Sequence, residues 1–273
     1  MDGHFQEYWW FLVSLLGALL VSLMFVQGAN SLLGSLGGDA DGRRSVMNAT
    51  DGKWIFTFIA LVLFGGAFYA AFPLCWSDSF GDTRWLWMIV VLSFVLQAVG
   101  YVCRNRIGKG LGERTVQFFL VQNGFVGPVL IGGGFATFFE GSNLLHLWVL
   151  VFGLAVFFLA RILGTLYIIS AVDDAGVRSR ASARLLGSSI AFVVLFVAYL
   201  VHLLLKDGYV VMWYLLVLLL VGIVLVLYGI IREIVNSQGN TLPSHLSPHT
   251  SKSFYHVAIG TVLIVLALLL GAG

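Results

Sequence analysis

The chain has 273 residues, 59% of them hydrophobic and only 10% charged, with a formal net charge of +2. A water-soluble domain carries about 25% charged residues. This composition, with a mean hydropathy of +0.97, excludes a soluble enzyme, a nucleic-acid binder and a disordered chain.

A bilayer core needs roughly 20 apolar residues per helical crossing. Eight segments meet or approach that length: 9–26, 54–76, 85–103, 116–139, 144–172, 185–205, 209–231 and 254–270. They are continuous apolar runs rather than alternating ten-residue segments, so helices are expected and a β-barrel is not. The predicted fold is an all-α transmembrane bundle, one membrane domain over residues 1–273. The first segment follows Asp2, His4 and Glu7 without a basic flank, and is read as a helix that stays rather than a cleaved signal. Trp9, Trp10, Trp54, Trp76 and Trp85 fall at segment ends, where indole rings favour the headgroup level.

Charge placement gives the orientation. Arg43, Arg44 and Lys53 lie on the first loop, and Arg104, Arg106, Lys109 and Arg114 on the third. Arg178, Arg180 and Arg184 lie on the fifth, and Arg232 and Lys252 on the seventh. Even-numbered loops hold only Arg84 and Lys206. The positive-inside rule then puts odd loops in the cytoplasm and the N-terminus outside. One basic residue, Arg161, falls inside the fifth segment, with no acid at matching depth. It either answers a partner's carboxylate or bound anionic group, or snorkels structurally.

Chemistry-bearing constellations are few. Cys75 and Cys103 are expected at opposite membrane faces, as free thiols. His245 and His249 have the spacing of a metal pair, but Pro248 breaks the helix this would need. His146 and His202 belong near the outer surface, and no histidine reaches mid-membrane depth, so no haem ligand is expected in this chain. The glycines at 108, 110 and 112 lack a preceding strand and a following Gly-Lys-Ser/Thr, which argues against a nucleotide site. Asn48-Ala49-Thr50 is a formal glycosylation sequon on a loop read as cytoplasmic. All 13 acids lie in loops or at segment ends. Gln27, Asn30, Gln97, Gln122 and Asn123 are the polar residues left to bridge helices or hold water. Gly65-Gly66-Ala67 and Gly132-Gly133-Gly134 are read as close helix contacts.

An ordered series of motifs resembles subunit II of the cytochrome bd quinol oxidases, in the Bacteroidetes-type branch. It begins with Tyr8-Trp9-Trp10-Phe11-Leu12-Val13 and Phe25-Val26-Gln27-Gly28, then Arg43-Arg44, Asn48 and Trp54. Gly65-Gly66-Ala67-Phe68-Tyr69-Ala70-Ala71-Phe72-Pro73, Gln97-Ala98-Val99-Gly100-Tyr101 and Arg104 follow. Arg161-Ile162-Leu163-Gly164-Thr165-Leu166-Tyr167 and Arg178-Ser179-Arg180-Ala181 complete it. The resemblance implies two four-helix bundles plus one further helix, in a bacterial inner membrane. It implies a haem-bearing subunit I carrying haem b and haem d, exchange with the quinone pool, a structural quinone and small accessory subunits. This chain would then be the non-haem subunit, bathed in membrane lipid, with no catalytic, cofactor or metal residue of its own. Arg161, Gln27, Trp54, Gly65, Gly66, Pro73, Gln97 and Arg104 are the structural or interface candidates.

Three positions where that family carries acids are uncharged here, at Gln27, Ile55 and Val102. A proton route through subunit I, or none through this chain, fits those departures better than a carboxylate relay. The run ending Leu268-Leu269-Leu270-Gly271-Ala272-Gly273 leads us to expect a ninth helix beyond residue 273. A polytopic transporter, for which Gly127-Pro128 hints at a broken helix, and a membrane scaffold without redox partners are the competing readings.

Overall fold

The computed structural model describes residues 3–38, 40–104, 111–140, 146–206, 212–239 and 248–272. These form eleven helices and no strand. Eight helical stretches are long and apolar enough to cross a membrane, so the chain is a multi-pass, all-α membrane protein.

The first crossing is longer than expected and is broken. α1 (Gly3–Ser22) stops at a turn over Leu23 and Met24, and α2 (Phe25–Ser31) resumes. The carbonyl of Leu23, exposed by this break, accepts from Thr57 Oγ1 at 2.6 Å. In lipid such a carbonyl needs a protein donor, because no water is at hand. α3 (Leu33–Leu36) and α4 (Ala40–Thr50) are short pieces on the first loop. Gly52, at φ +72°, sits just beyond α4, where the left-handed backbone suits a residue without Cβ.

α5 (Trp54–Ala71) ends sooner than expected. Phe72 adopts φ −132° and ψ 63°, and Pro73 opens α6 (Pro73–Cys103). The residue before a proline is pushed out of the helical region, and proline suits the first turn. Pro73 therefore opens the helix that carries the third crossing, Arg84–Cys103, rather than lying within the second. The residues between the second and third segments, expected as a loop, are helical. Cys75 and Cys103 consequently lie at the two ends of one helix, 28 residues or about 42 Å apart.

α7 (Leu111–Glu140) runs through Pro128 without a break. α8 (Leu147–Ala171) is the most enclosed crossing. α9 (Ala175–Leu205) starts ten residues earlier than its apolar run, because Asp174 caps it by accepting from the backbone N–H of Gly176 (2.8 Å) and Val177 (3.1 Å). α10 (Trp213–Gly239) extends two turns beyond the expected end, and α11 (Pro248–Gly271) is the last helix described. The extension places Glu233, expected at a helix end, within α10, where it is buried.

The first crossing packs against α5 and α7, and α6 packs against α5 and α7. In the second group α8 meets α9 and α11, and α10 meets α9 and α11. The groups join where α1 meets α11 and where α8 meets α2 and α7. The α2–α8 seam is the tightest. A Cβ on Gly28 would lie 1.7 Å from the Ala160 carbonyl oxygen, and one on Gly164 would lie 2.2 Å from the Ala29 nitrogen. Such backbone proximity is how helices associate where lipid removes the hydrophobic driving force. Gly132 also makes a close contact, against Val156 and Gly153 of α8. Gly65 and Gly66 do not: a Cβ at either would meet nothing within 4 Å, which corrects the expectation of a close contact there within this chain. Trp85 and Trp213 face outward, whereas Trp10 turns inward and donates to the Leu269 carbonyl at 3.1 Å.

Candidate functional site

Three of the amides singled out from the sequence, Gln27, Gln97 and Asn123, meet in the interior of the first helix group. Gln27 Nε2 on α2 donates to Gln97 Oε1 on α6 at 3.1 Å, and Asn123 Nδ2 on α7 donates to the same oxygen. Ser93 Oγ donates to Asn123 Oδ1 at 2.6 Å. All four residues are at most 1% exposed. One acceptor thus ties three helices together, and every member is neutral. Neutral amides fix register through directional bonds but do not ionise near physiological pH, so this cluster carries no buried charge. Gln27 stands where the resemblance leads one to expect an acid.

A second cluster lies nearer the end of α6. The Tyr101 hydroxyl donates to Asn30 Oδ1 at 2.9 Å and sits 2.8 Å from Thr50 Oγ1. Trp54 is half-buried and stacks on the Tyr101 ring, with centroids 6.1 Å apart and planes 5° from parallel. Arg104, just past α6, donates through Nη2 to Asn48 Oδ1 and has Asp51 Oδ2 at 4.0 Å. α4 is thereby pinned under the ends of α5 and α6. In the apparent sequon Asn48 is exposed and accepts from Arg104, and Thr50 is buried. Arg180 adds a further anchor, donating through Nε to the Leu36 carbonyl at 2.6 Å. A cation on the free carbonyls of a helix C-terminus is the expected pairing.

At the opposite end, Glu140 closes α7 with its side chain 3% exposed. It pairs with His202 of α9 (3.1 Å) and with Lys206 just past that helix (3.2 Å), and His146 lies 3.9 Å away. His202 also stacks flat on Trp148, with centroids 4.1 Å apart. Nothing in the sequence reading joined these residues. The signal was present in the spacing of His202 and Lys206, four apart and therefore on one helix face. Among the described residues, no group of three or more His, Cys, Asp or Glu side chains is arranged to hold a metal ion. His245 and the glycines at 108 and 110 lie outside the described residues.

Arg161 is half-buried on α8, its guanidinium carbon 5.5 Å from the Phe157 ring centroid and 5.8 Å from that of Phe158. Rings placed this way stabilise a cation but satisfy none of its in-plane N–H donors.

The comparisons with known proteins point one way. A family model described as cytochrome bd terminal oxidase subunit II matches residues 5–273. Cytochrome bd-I ubiquinol oxidase subunit 2 of Escherichia coli (strain K12) is 27% identical over 137 residues, which cover 49% of this chain and 35% of that protein. The probable cytochrome oxidase subunit 2 of Haemophilus influenzae is 27% identical over 143 residues, covering 52% of this chain and 38% of that one. The matched stretch thus spans little more than a third of the length of these curated relatives. Family match, eight crossings and the ordered motifs agree: the chain belongs to the cytochrome bd terminal oxidase subunit II family.

Proposed function

We propose that this chain is the non-haem subunit of a quinol:oxygen oxidoreductase, supporting a haem-bearing subunit I in a bacterial inner membrane. The match to the family model over residues 5–273 carries the reading. Its geometry supports a scaffolding role. Gln27, Gln97 and Asn123 bond to one another across three helices. His202 is engaged by Glu140 and stacked on Trp148, which does not fit an axial haem ligand. Haem b and haem d are therefore assigned to subunit I, where they pass electrons from quinol to oxygen. The neutral cluster around Gln97 fits a proton route through subunit I better than a carboxylate relay here. The exposed apolar faces of α5 and α6, including Ile59, Val62, Leu63 and Leu92, offer a surface for lipid or for that partner. Orientation follows the arginines: the end bearing Arg43, Arg104 and Arg180 faces the cytoplasm, and the N-terminus the periplasm. The break that Gly127-Pro128 suggested for a transporter is not formed, since α7 passes through Pro128 unbroken, and the carbonyl opened by the break in the first crossing is taken up by Thr57.

The test is co-expression of the whole gene with its neighbour, purification through a tag on this chain, and a reduced-minus-oxidised spectrum. Haem b and haem d bands that co-purify with the tag are the expected result. A stable, haem-free chain would overturn the assignment.

A further inference from the structure

Arg161 has a second feature besides its aromatic neighbours. Its Nε is buried and makes no hydrogen bond, and it forms no ion pair among the described residues. Arg184 is exposed on α9, the helix packed along α8, and like charges on adjacent helices repel. Two guanidinium groups that repel one another at the edge of an apolar layer call for an anion between them.

Depth identifies that anion. The Phe152–Tyr199 ring contact, with centroids 4.5 Å apart, pins α8 to α9 at one level. From it, Arg161 is nine residues and Arg184 fifteen residues toward the α8–α9 turn, about 13.5 and 22.5 Å along the helices. Arg161 is therefore about 9 Å deeper than Arg184, a gap that two extended arginine side chains can close from both sides. Arg184 directly precedes the apolar run 185–205, which is the headgroup level of a bilayer. The two arginines thus bracket the phosphate and ester levels of one leaflet, Arg184 at the phosphate and Arg161 reaching up to it from below.

A third polar atom lies at the level of Arg161. The Phe125–Phe157 ring contact, with centroids 4.9 Å apart, ties α7 to α8. One turn from it toward the same end, Gln122 carries a buried Oε1 without a hydrogen bond. A path from lipid exists as well. Leu150 is exposed, and Leu154, Phe158 and Arg161 are half-buried, one stripe on an otherwise enclosed helix. That stripe gives an acyl chain an apolar track leading from the arginines.

We propose that Arg161 and Arg184, with Gln122 beside them, bind one anionic phospholipid from the leaflet on the side of the α8–α9 turn. The phosphodiester accepts from both guanidinium groups, Gln122 lies at the level of the ester groups, and one acyl chain follows Phe158, Leu154 and Leu150. The occupant is singly and permanently anionic, whereas a neutral quinone or a zwitterionic lipid leaves the paired positive charges unanswered.

The test uses whatever assembly the tagged full-length chain purifies in. That assembly is washed with detergent until annular lipid is gone, and bound lipid is counted by native mass spectrometry before and after adding phosphatidylglycerol or phosphatidylcholine. The wild type should keep one anionic phospholipid and regain it from phosphatidylglycerol alone. Arg161→Leu should lose it, Arg161→Lys should retain it weakly, and Arg184→Gln, at an exposed position that does not threaten folding, should weaken apparent affinity at least tenfold. Three results would each overturn the proposal. These are equal retention in wild type and variants, equal uptake of the two lipids, and loss of an extractable quinone rather than a phospholipid in Arg161→Leu. A fourth is a wild type that carries no lipid while Arg161→Leu sheds its partner subunit, which would assign Arg161 to a partner carboxylate. Lipid count and haem content are separate readouts, so failure of the oxidase reading and failure of this one are distinguishable.

Discussion

The two helix groups are held together by different means. In the first, polar side chains reach across to other helices: Gln27 and Asn123 converge on Gln97, Thr57 bonds the open Leu23 carbonyl, and Tyr101 bonds Asn30. In the second, buried hydroxyls mostly return to their own helix. Thr165 donates to the Arg161 carbonyl, Ser189 to Leu185 and Thr261 to Val257, each four residues back. There glycine contacts carry the close approach without such a network of cross-helix bonds. A Cβ on Gly260 of α11 would lie 2.7 Å from the Gly222 carbonyl oxygen of α10. A bundle in lipid has few sources of helix–helix affinity. The first group adds directional bonds to backbone proximity, since a Cβ on Gly124 of α7 would lie 2.5 Å from the Ser31 nitrogen of α2, and the second relies mainly on proximity. Directional bonds also set register, because a helix that slips by one residue loses its partner. Glycine seams tolerate small slides, provided no Cβ intrudes.

The strongest way to break this arrangement is at the seam between the groups. Gly28→Ala places a methyl group 1.7 Å from a backbone oxygen of α8. A cost of about 3 kcal/mol or more is expected, read as loss of most detergent-stable assembly on size exclusion. Next is Gln97→Leu, which leaves the Gln27 and Asn123 donors buried without their acceptor. A loss of about 2 kcal/mol is expected, measured by reversible unfolding in mixed micelles. A double-mutant cycle with Gln27→Leu should return a coupling of about 0.6–1.7 kcal/mol. Strict additivity would mean that the amide contact is idle. Gly222→Ala tests the other device. Its Cβ would lie 2.8 Å from a flexible Ile264 side-chain atom and 2.9 Å from the Gly260 oxygen, for which about 1–2 kcal/mol is expected. A cost matching that of Gly28→Ala would erase the distinction between the seams. Smallest are Ser189→Ala and Thr261→Ala, each within about 0.5 kcal/mol, because the bonds they remove are local and their acceptors remain in the helical ladder. A larger loss in thermal midpoint would show that these hydroxyls also bridge helices.

The sequence made the crossings legible because continuous apolarity is the strongest signal a membrane chain gives. It also singled out Gln27, Gln97 and Asn123, since polar side chains are rare enough in such segments to stand out. Breaks were harder to read. Leu23 and Met24 interrupt the first crossing with no glycine or proline to mark the site, and Thr57, which receives the freed carbonyl, is 34 residues away. Conversely, Pro128 suggested a break, yet α7 runs through it. The expectation for Gly65 and Gly66 failed because small residues permit close contact without causing it. The Glu140 cluster stayed hidden because its members come from three helix ends that only the folded bundle brings together.

Trp10 and Leu269 are hydrogen-bonded across 259 residues of chain. At a synthesis rate of roughly 5–20 residues per second, the first helix enters the membrane about 10–50 s before its partner exists. Through that interval the indole N–H of Trp10 and the hydroxyl of Ser22, which later bonds the Ala258 carbonyl, have no final acceptor. Insertion thus leaves an early helix waiting in lipid for a late one. A ribosome that stalls before α11 would release a chain whose first crossing has one unclosed flank.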